Sequence, residues 1–279
     1  MRVACSQFAP TLFAVASNCE HILRDMQSAA QEGVDLLVFP ECALTGYVVT
    51  AADDLDALAA AEIEAALQSI TLAAQNLAIH VIVGSLECVE GTWVNSCTFV
   101  DTAGNRQRQL KSHLPNIGAD RFISAGNAPP RLYQVGEFKL GIMICYEARF
   151  PEIARSLALE GADILVHPTN LPSSSGKIVD FILPVRAMEN HVYVMSANRT
   201  GVENDVVFLG QSKIFDTAGD ISANAEDSAQ TLIYATLCLS RARNKTLDFS
   251  RGAAHSGVSD IYNDRRPELY SASLVSSPF

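Results

Sequence analysis

The chain has 279 residues, 48% of them hydrophobic and 18% charged, a globular composition that excludes a largely disordered chain. Lys and Arg number 20 against 31 Asp and Glu, a formal charge of -11, so there is no electrostatic footprint for nucleic acid or an anionic membrane surface. The cysteines number 7 without regular spacing, which excludes a disulfide framework and marks them as reduced, small apolar residues, one of which could be chemical.

Strand and helix signals alternate along the chain. Residues 2–8 read as a strand with no charged and apolar leader ahead of it, and nowhere do 18 apolar residues run together, so the expectation is a cytoplasmic protein without a membrane span. Residues 17–32 read as a helix capped by Ser17 and ended by Gly33, and Asp35 to Phe39 as a strand buried on both faces. An Ala- and Leu-rich helix is expected over 54–78 and a strand from His80 to Ser85. Trp93 to Val100 and Arg106 to Lys111 flank a hairpin turn at Asp101 to Gly104. Lys139 to Ile144 is the next strand, and Pro151 starts a helix that Gly161 ends. A strand at 163–167, a helix at 176–190 and a strand at 192–197 follow, then hairpin-like strands near 206–216 and 231–237. Glu32-Gly-Val-Asp-Leu-Leu-Val-Phe-Pro40 parallels Glu160-Gly-Ala-Asp-Ile-Leu-Val-His-Pro168. With no low-complexity linker, the reading is one α/β domain over 1–279 with two similar halves. Residues from about 250 to 279 form an extension over the surface or a partner subunit.

Three reactive residues stand at predicted strand ends, where sites are built in α/β sheets. Cys145 closes the run Leu140-Gly-Ile-Met-Ile-Cys145, beside backbone N–H groups that favour a thiolate. Glu41 follows Phe39-Pro40, where desolvation makes a carboxylate a better base. Lys111 ends the strand before Ser112-His-Leu-Pro115. Taken singly, each has an ordinary structural reading: a core cysteine, a turn cap, a solvated lysine. No paired histidine spacing, C-x-x-C, G-x-S-x-G, P-loop or G-x-G-x-x-G accompanies them, so no metal and no cofactor is implied.

Together, and in order, these segments resemble the nitrilase superfamily of carbon–nitrogen hydrolases. The resemblance runs through Val3 to Gln7, Phe39-Pro-Glu41, Gly46-Tyr47, Lys111-x-His113-Leu-Pro and Gly126, then Cys145-Tyr-Glu-x-Arg-Phe-Pro-Glu152 and Gly161-Ala-Asp163. It continues with Arg186-Ala-x-Glu-Asn190, Asn198, Gly210-x-Ser212 and Arg265-Arg-Pro-Glu-Leu-Tyr270. It implies a four-layer α-β-β-α sandwich, a homodimer or larger assembly, and a Glu41–Lys111–Cys145 site. In that site Glu41 is the base and Cys145 the nucleophile, while Lys111 and the Tyr146 backbone N–H stabilise the oxyanion. The branch it most resembles hydrolyses small amides or N-carbamoyl compounds with water through a thioester. The alternatives are a nitrilase, or a non-catalytic scaffold on the same fold. Many members carry a second glutamate after the lysine. Here the only acid between Lys111 and Gly126 is Asp120, either its substitute or a solvated partner of Arg121. Tyr47, Glu147, Thr169 and Asn170 are expected to contact substrate, with specificity set by loops 42–54, 112–130 and 169–180.

Overall fold

The computed structural model describes residues 1–248 and 257–270. In chain order the first half comprises β1 (Arg2–Gln7), α1 (Val15–Gln31), β2 (Leu36–Val38), α2 (Ala60–Leu77), β3 (His80–Val89), β4 (Thr92–Val100) and β5 (Arg106–Leu110). The second comprises β6 (Leu132–Val135), β7 (Phe138–Ile142), α3 (Pro151–Leu159), β8 (Ile164–Thr169), α4 (Leu183–Asn190) and β9 (Tyr193–Asn198). A short ribbon, β10 (Val202–Glu203) with β11 (Val206–Val207), precedes β12 (Lys213–Phe215), β13 (Ile221–Asn224) and β14 (Thr231–Thr236).

Two six-stranded sheets result, ordered β14-β1-β2-β3-β4-β5 and β13-β12-β9-β8-β7-β6. In each, three parallel strands form the centre and antiparallel strands flank them. The two matched sequence segments are β2 and β8, the middle strand of each parallel trio, which accounts for their shared helix–Gly–strand–Pro pattern.

Strand periodicity separates the layers. Val3 and Cys5 of β1, with Leu36 and Val38 of β2, enter a core shared with the second sheet, whereas Ala4 and Leu37 point to the opposite core beneath α1 and α2. On α1, Val15, Cys19, Ile22, Met26 and Ala29 are buried at three- and four-residue spacing, and on α2 Ile63, Leu67, Ile70 and Ala74 repeat it. α3 and α4 cover the outer face of the second sheet. The fold is the four-layer α-β-β-α sandwich.

Several boundaries differ from the sequence reading. The helix expected over 54–78 divides into a 3-10 turn, Ala52–Ala57, and α2, because Asp54 caps the turn by accepting the N–H groups of Thr50 and Ala51. The helix expected over 176–190 is a π-turn, Ile178–Ile182, leading into α4. Pro184 lacks an N–H for the regular ladder, and the wider turn absorbs the mismatch. The strands near 206–216 and 231–237 do not pair with each other. β12 adds to β9, while β14 crosses to β1 in the other sheet. β6, unforeseen, pairs with β7. Five of the seven free cysteines are buried, but Cys88 and Cys238 are exposed and do not serve as packing residues.

Of the expected C-terminal extension, 249–256 and 271–279 lie outside the described residues. Between them β16 (Val258–Asp260) pairs with β15 (Thr246–Asp248), which follows the short helix α5 (Leu239–Arg243), and the Tyr262 hydroxyl donates to the Asn190 carbonyl at the end of α4. No helix among the described residues is long and apolar enough to cross a membrane.

Candidate active site

Glu41, Lys111 and Cys145 converge from three loops, those that follow β2 and β7 in the parallel centres of the two sheets and β5 at a sheet edge. Beyond β2 the chain lies flat against β3: Phe39 N–H donates to the Ile82 carbonyl at 2.8 Å and Leu44 N–H to that of Gly84 at 3.1 Å. A Cβ on Gly84 would sit 2.5 Å from Cys42 N and 2.7 Å from Glu41 Cα, so only glycine admits this approach. Lys111 follows β5, its N–H donating to the Asn95 carbonyl at 2.9 Å and its carbonyl accepting from Gly126 at 2.8 Å.

Both side chains are fully buried. Lys111 Nζ donates to Glu41 Oε1 at 2.7 Å and to Asp120 Oδ2 at 2.5 Å. The second oxygen of Glu41, Oε2, is buried with no hydrogen-bond partner among the described residues. Burial pulls the ammonium toward neutrality, but the carboxylates of Glu41 and Asp120 outweigh it and hold the Lys111 pKa well above the usual lysine value.

Asp120 belongs to this site, and its reading as a solvated partner of Arg121 is overturned. It is buried on a 3-10 turn, Gly118–Arg121, while Arg121 is exposed. Burial and the facing Glu41 push its carboxyl upward against the opposing pull of Lys111 and Asn95. The turn brings this shorter acid within reach of the lysine.

Cys145 does not end a strand. β7 stops at Ile142, and Cys145 opens a 3-10 helix, Cys145–Arg149, with φ +50. A left-handed non-glycine residue persists only where its surroundings impose it. Glu147 Oε2 accepts the Ile144 N–H at 2.7 Å, and His167 Nε2 lies 2.9 Å from the Cys145 carbonyl. Because a carbonyl only accepts, Nε2 carries the proton and Nδ1 accepts from Ser196 Oγ at 3.0 Å. Burial pushes the Cys145 thiol up to about 12, Glu41 pushes the same way, and Lys111, the Thr169 hydroxyl and the Asn170 backbone N–H pull it down. At neutral pH the sulfur is a thiol and needs a base to react.

The other expected residues divide into two groups. Thr169 and Asn170 lie at the sulfur. Among the described residues the Thr169 hydroxyl has no other partner, and both polar atoms of the buried Asn170 side chain are unpaired. Tyr47 and Glu147 make bracing contacts within the site. The Tyr47 hydroxyl donates to Asp120 Oδ2 at 2.9 Å, and Glu147 Oε1 accepts the Ser112 N–H and hydroxyl, both at 2.7 Å, joining the lysine and cysteine loops. A cavity of about 140 Å³ opens beside Cys145, walled by Ile117, Tyr146, Leu171 and Ile178, with Asn170 on its side and Arg149 at its mouth. It is far smaller than a drug-sized pocket.

Two contributors escaped sequence reading. Asn95 on β4 donates to Glu41 Oε1 at 2.8 Å and Asp120 Oδ1 at 3.0 Å, holding both acids about the lysine. Its signal was a buried polar Asn95-Ser96 pair between the apolar ends of β4. His167 interrupts the apolar β8 in the same way. Burial pushes His167 down to about 4, so it is neutral when folded. The stability this lends is present above the ordinary histidine pKa of 6.5 and is lost as pH falls toward about 4. Urea unfolding from pH 7 to 4 is expected to show His167→Gln losing less stability over that window than wild type. Parallel curves would remove His167 from the acid limb.

Residues 2–245 match the family described as carbon-nitrogen hydrolase. The chain belongs to the carbon–nitrogen hydrolase family. It is 34% identical to the "Hydrolase in pqqF 5'region" of Pseudomonas protegens, over 97% of this chain and 90% of that one. It is 28% identical to an (R)-stereoselective amidase of a Pseudomonas species, over 96% and 98%. An E41Q variant of the amidase from Nesterenkonia sp. AN1 superposes with TM-score 0.83 at 25% identity, covering 98% of this chain and 96% of that one. That structure carries the acetamide moiety of fluoroacetamide on its active-site cysteine. The protein is a hydrolase of carbon–nitrogen bonds.

Proposed function

We propose that this carbon–nitrogen hydrolase cleaves a small amide or N-carbamoyl compound to a carboxylic acid and ammonia or an amine through a thioester on Cys145. The observation that carries the reading is the unpaired Glu41 Oε2 in a buried site with a thiol that is protonated at rest. Glu41 takes the thiol proton as sulfur attacks the carbonyl carbon. Charge on the oxygen is met by Lys111 and by the Tyr146 N–H, which lies in the first turn of a 3-10 helix where N–H groups lack intrahelical acceptors. Glu41 returns the proton to the leaving nitrogen, the C–N bond breaks, and the thioester remains. Glu41 then removes a proton from water, hydroxide displaces sulfur, and Cys145 regains its proton.

The amidase relative and the acetamide adduct of the Nesterenkonia enzyme support an amide over a nitrile. The small apolar cavity suits a short acyl group, and the unpaired amide of Asn170 offers it both a donor and an acceptor. Ammonia release from a panel of short amides, N-carbamoyl compounds and nitriles is expected from wild type and to vanish in Cys145→Ala, with hydroxylamine trapping the acyl group as a hydroxamate. Turnover unchanged in Cys145→Ala would remove Cys145 as the nucleophile, and none in wild type with no preferential labelling of Cys145 by iodoacetamide would leave the scaffold reading standing.

A further inference from the structure

A second buried ion pair lies one step behind the site. Arg199, just beyond β9, is fully buried, and its Nη1 donates to Glu203 Oε1 at 2.6 Å while Nη2 donates to the Pro10 carbonyl at 2.9 Å. Its guanidinium carbon lies 4.1 Å from the centre of the Phe208 ring. Glu203 Oε2 accepts two consecutive backbone N–H groups from the other half of the molecule, Tyr47 at 2.9 Å and Val48 at 2.6 Å. Gly46 is pressed against this carboxylate. A Cβ there would meet Glu203 Oε1 at 2.8 Å and Leu12 Cα at 2.7 Å.

Tyr47 is thereby held at every polar group. Its N–H goes to Glu203, its carbonyl accepts from Ala119 at 2.9 Å, and its hydroxyl donates to Asp120. The turn bearing Asp120 lies flat on its ring, since a Cβ on Gly118 would fall 2.6 Å from Tyr47 Cε1. Lys111 Nζ sits 5.8 Å from the centre of the same ring.

We propose that the Arg199–Glu203 pair is a positioning device for the reactive lysine: it fixes Tyr47, which aims Asp120 at Lys111. The inference rests on the role given to Lys111 above. A carboxylate merely tying two loops together needs one acceptor contact anywhere along them. Here the contacts fall on the two successive peptides that flank Tyr47 Cα and so set the direction of its side chain, and a displacement of about 1 Å in a positioned group costs on the order of 100-fold in rate.

The test is a double-mutant cycle on the full chain with Glu203→Gln and Tyr47→Phe, read as kcat and KM for the amide best hydrolysed and as the rate of iodoacetamide alkylation of Cys145, followed by peptide mass spectrometry. Each single variant is expected to lower kcat by about 10-fold to 100-fold with KM little changed, and to alter the alkylation rate. The double variant is expected to be no slower than Tyr47→Phe. Glu203→Gln, which keeps one backbone acceptor, is expected to retain more rate than Glu203→Ala. Losses that multiply, or a Glu203→Gln enzyme with wild-type kcat and alkylation, overturn the proposal. If Glu203→Gln aggregates, Arg199→Lys replaces it in the cycle with the same two outcomes. A wild type that hydrolyses no amide defeats the proposed function instead, and the alkylation cycle still decides the positioning role.

Discussion

Glu41→Gln is expected to lower kcat/KM by about 10³-fold while leaving the melting temperature close to that of wild type. With the thiol pushed up to about 12, forming free thiolate at pH 7 without a neighbouring base costs on the order of 7 kcal/mol. Glu41 Oε2 is the unpaired carboxylate oxygen that can receive the proton during attack. The glutamine retains an acceptor for Lys111 Nζ and Asn95 Nδ2, and Lys111 keeps Asp120, so the packing survives. Because the charge of Glu41 is one cause of the raised thiol pKa, its removal moves that pKa down. The residual rate of the variant is therefore expected to climb with pH as thiolate forms unaided. A pH–rate profile measures this, and full activity at neutral pH would remove Glu41 as the base.

Which parts of this arrangement could be read in advance follows from what each depends on. The β2 strand and the Ile164 to Val166 run of β8 are apolar on both faces, and each segment is followed within a few residues by a proline, so one dimension of sequence contains their signal. The placement of Glu41 and Lys111 just past strand ends follows from the same pattern. Cys145 was legible as a residue but not as a geometry, since its left-handed φ depends on His167, 22 residues away on β8, as well as on the nearby Glu147. Asp120 was ambiguous because nothing in Gly-Ala-Asp-Arg says which way the turn faces. Tyr47 beneath it decides that, and Tyr47 is itself fixed by Glu203 at a separation of 156 residues. The pairing of β14 with β1 is equally non-local. What escaped is the set of buried polar contacts between the halves, where partner choice depends on tertiary packing.

Lys111→Met is expected to be damaging twice over. Loss of the cation opposite the oxyanion removes about 10²-fold to 10³-fold in kcat, the usual range for one preorganised oxyanion donor. The same change leaves Glu41 and Asp120 buried around Asn95 with no counter-charge, and breaking a buried ion pair from one side costs about 3–5 kcal/mol. The two effects separate by pH. Asp120 is already raised by burial and by Glu41, and in wild type Lys111 holds it down. Without the ammonium it rises further. A carboxyl raised in the folded state contributes stability that is present below its unfolded pKa of about 3.9 and is lost as pH rises through the folded value. The Lys111→Met melting temperature is therefore expected to increase as pH is lowered from 8 toward 5, opposite in sign to the loss expected of wild type from His167 over the acid part of that range. Adding Asp120→Asn removes one of the stranded charges and should recover much of the stability without restoring turnover, because the amide supplies no positive charge to the oxyanion. A double variant that regains activity along with stability would show that Lys111 serves only to neutralise its neighbours.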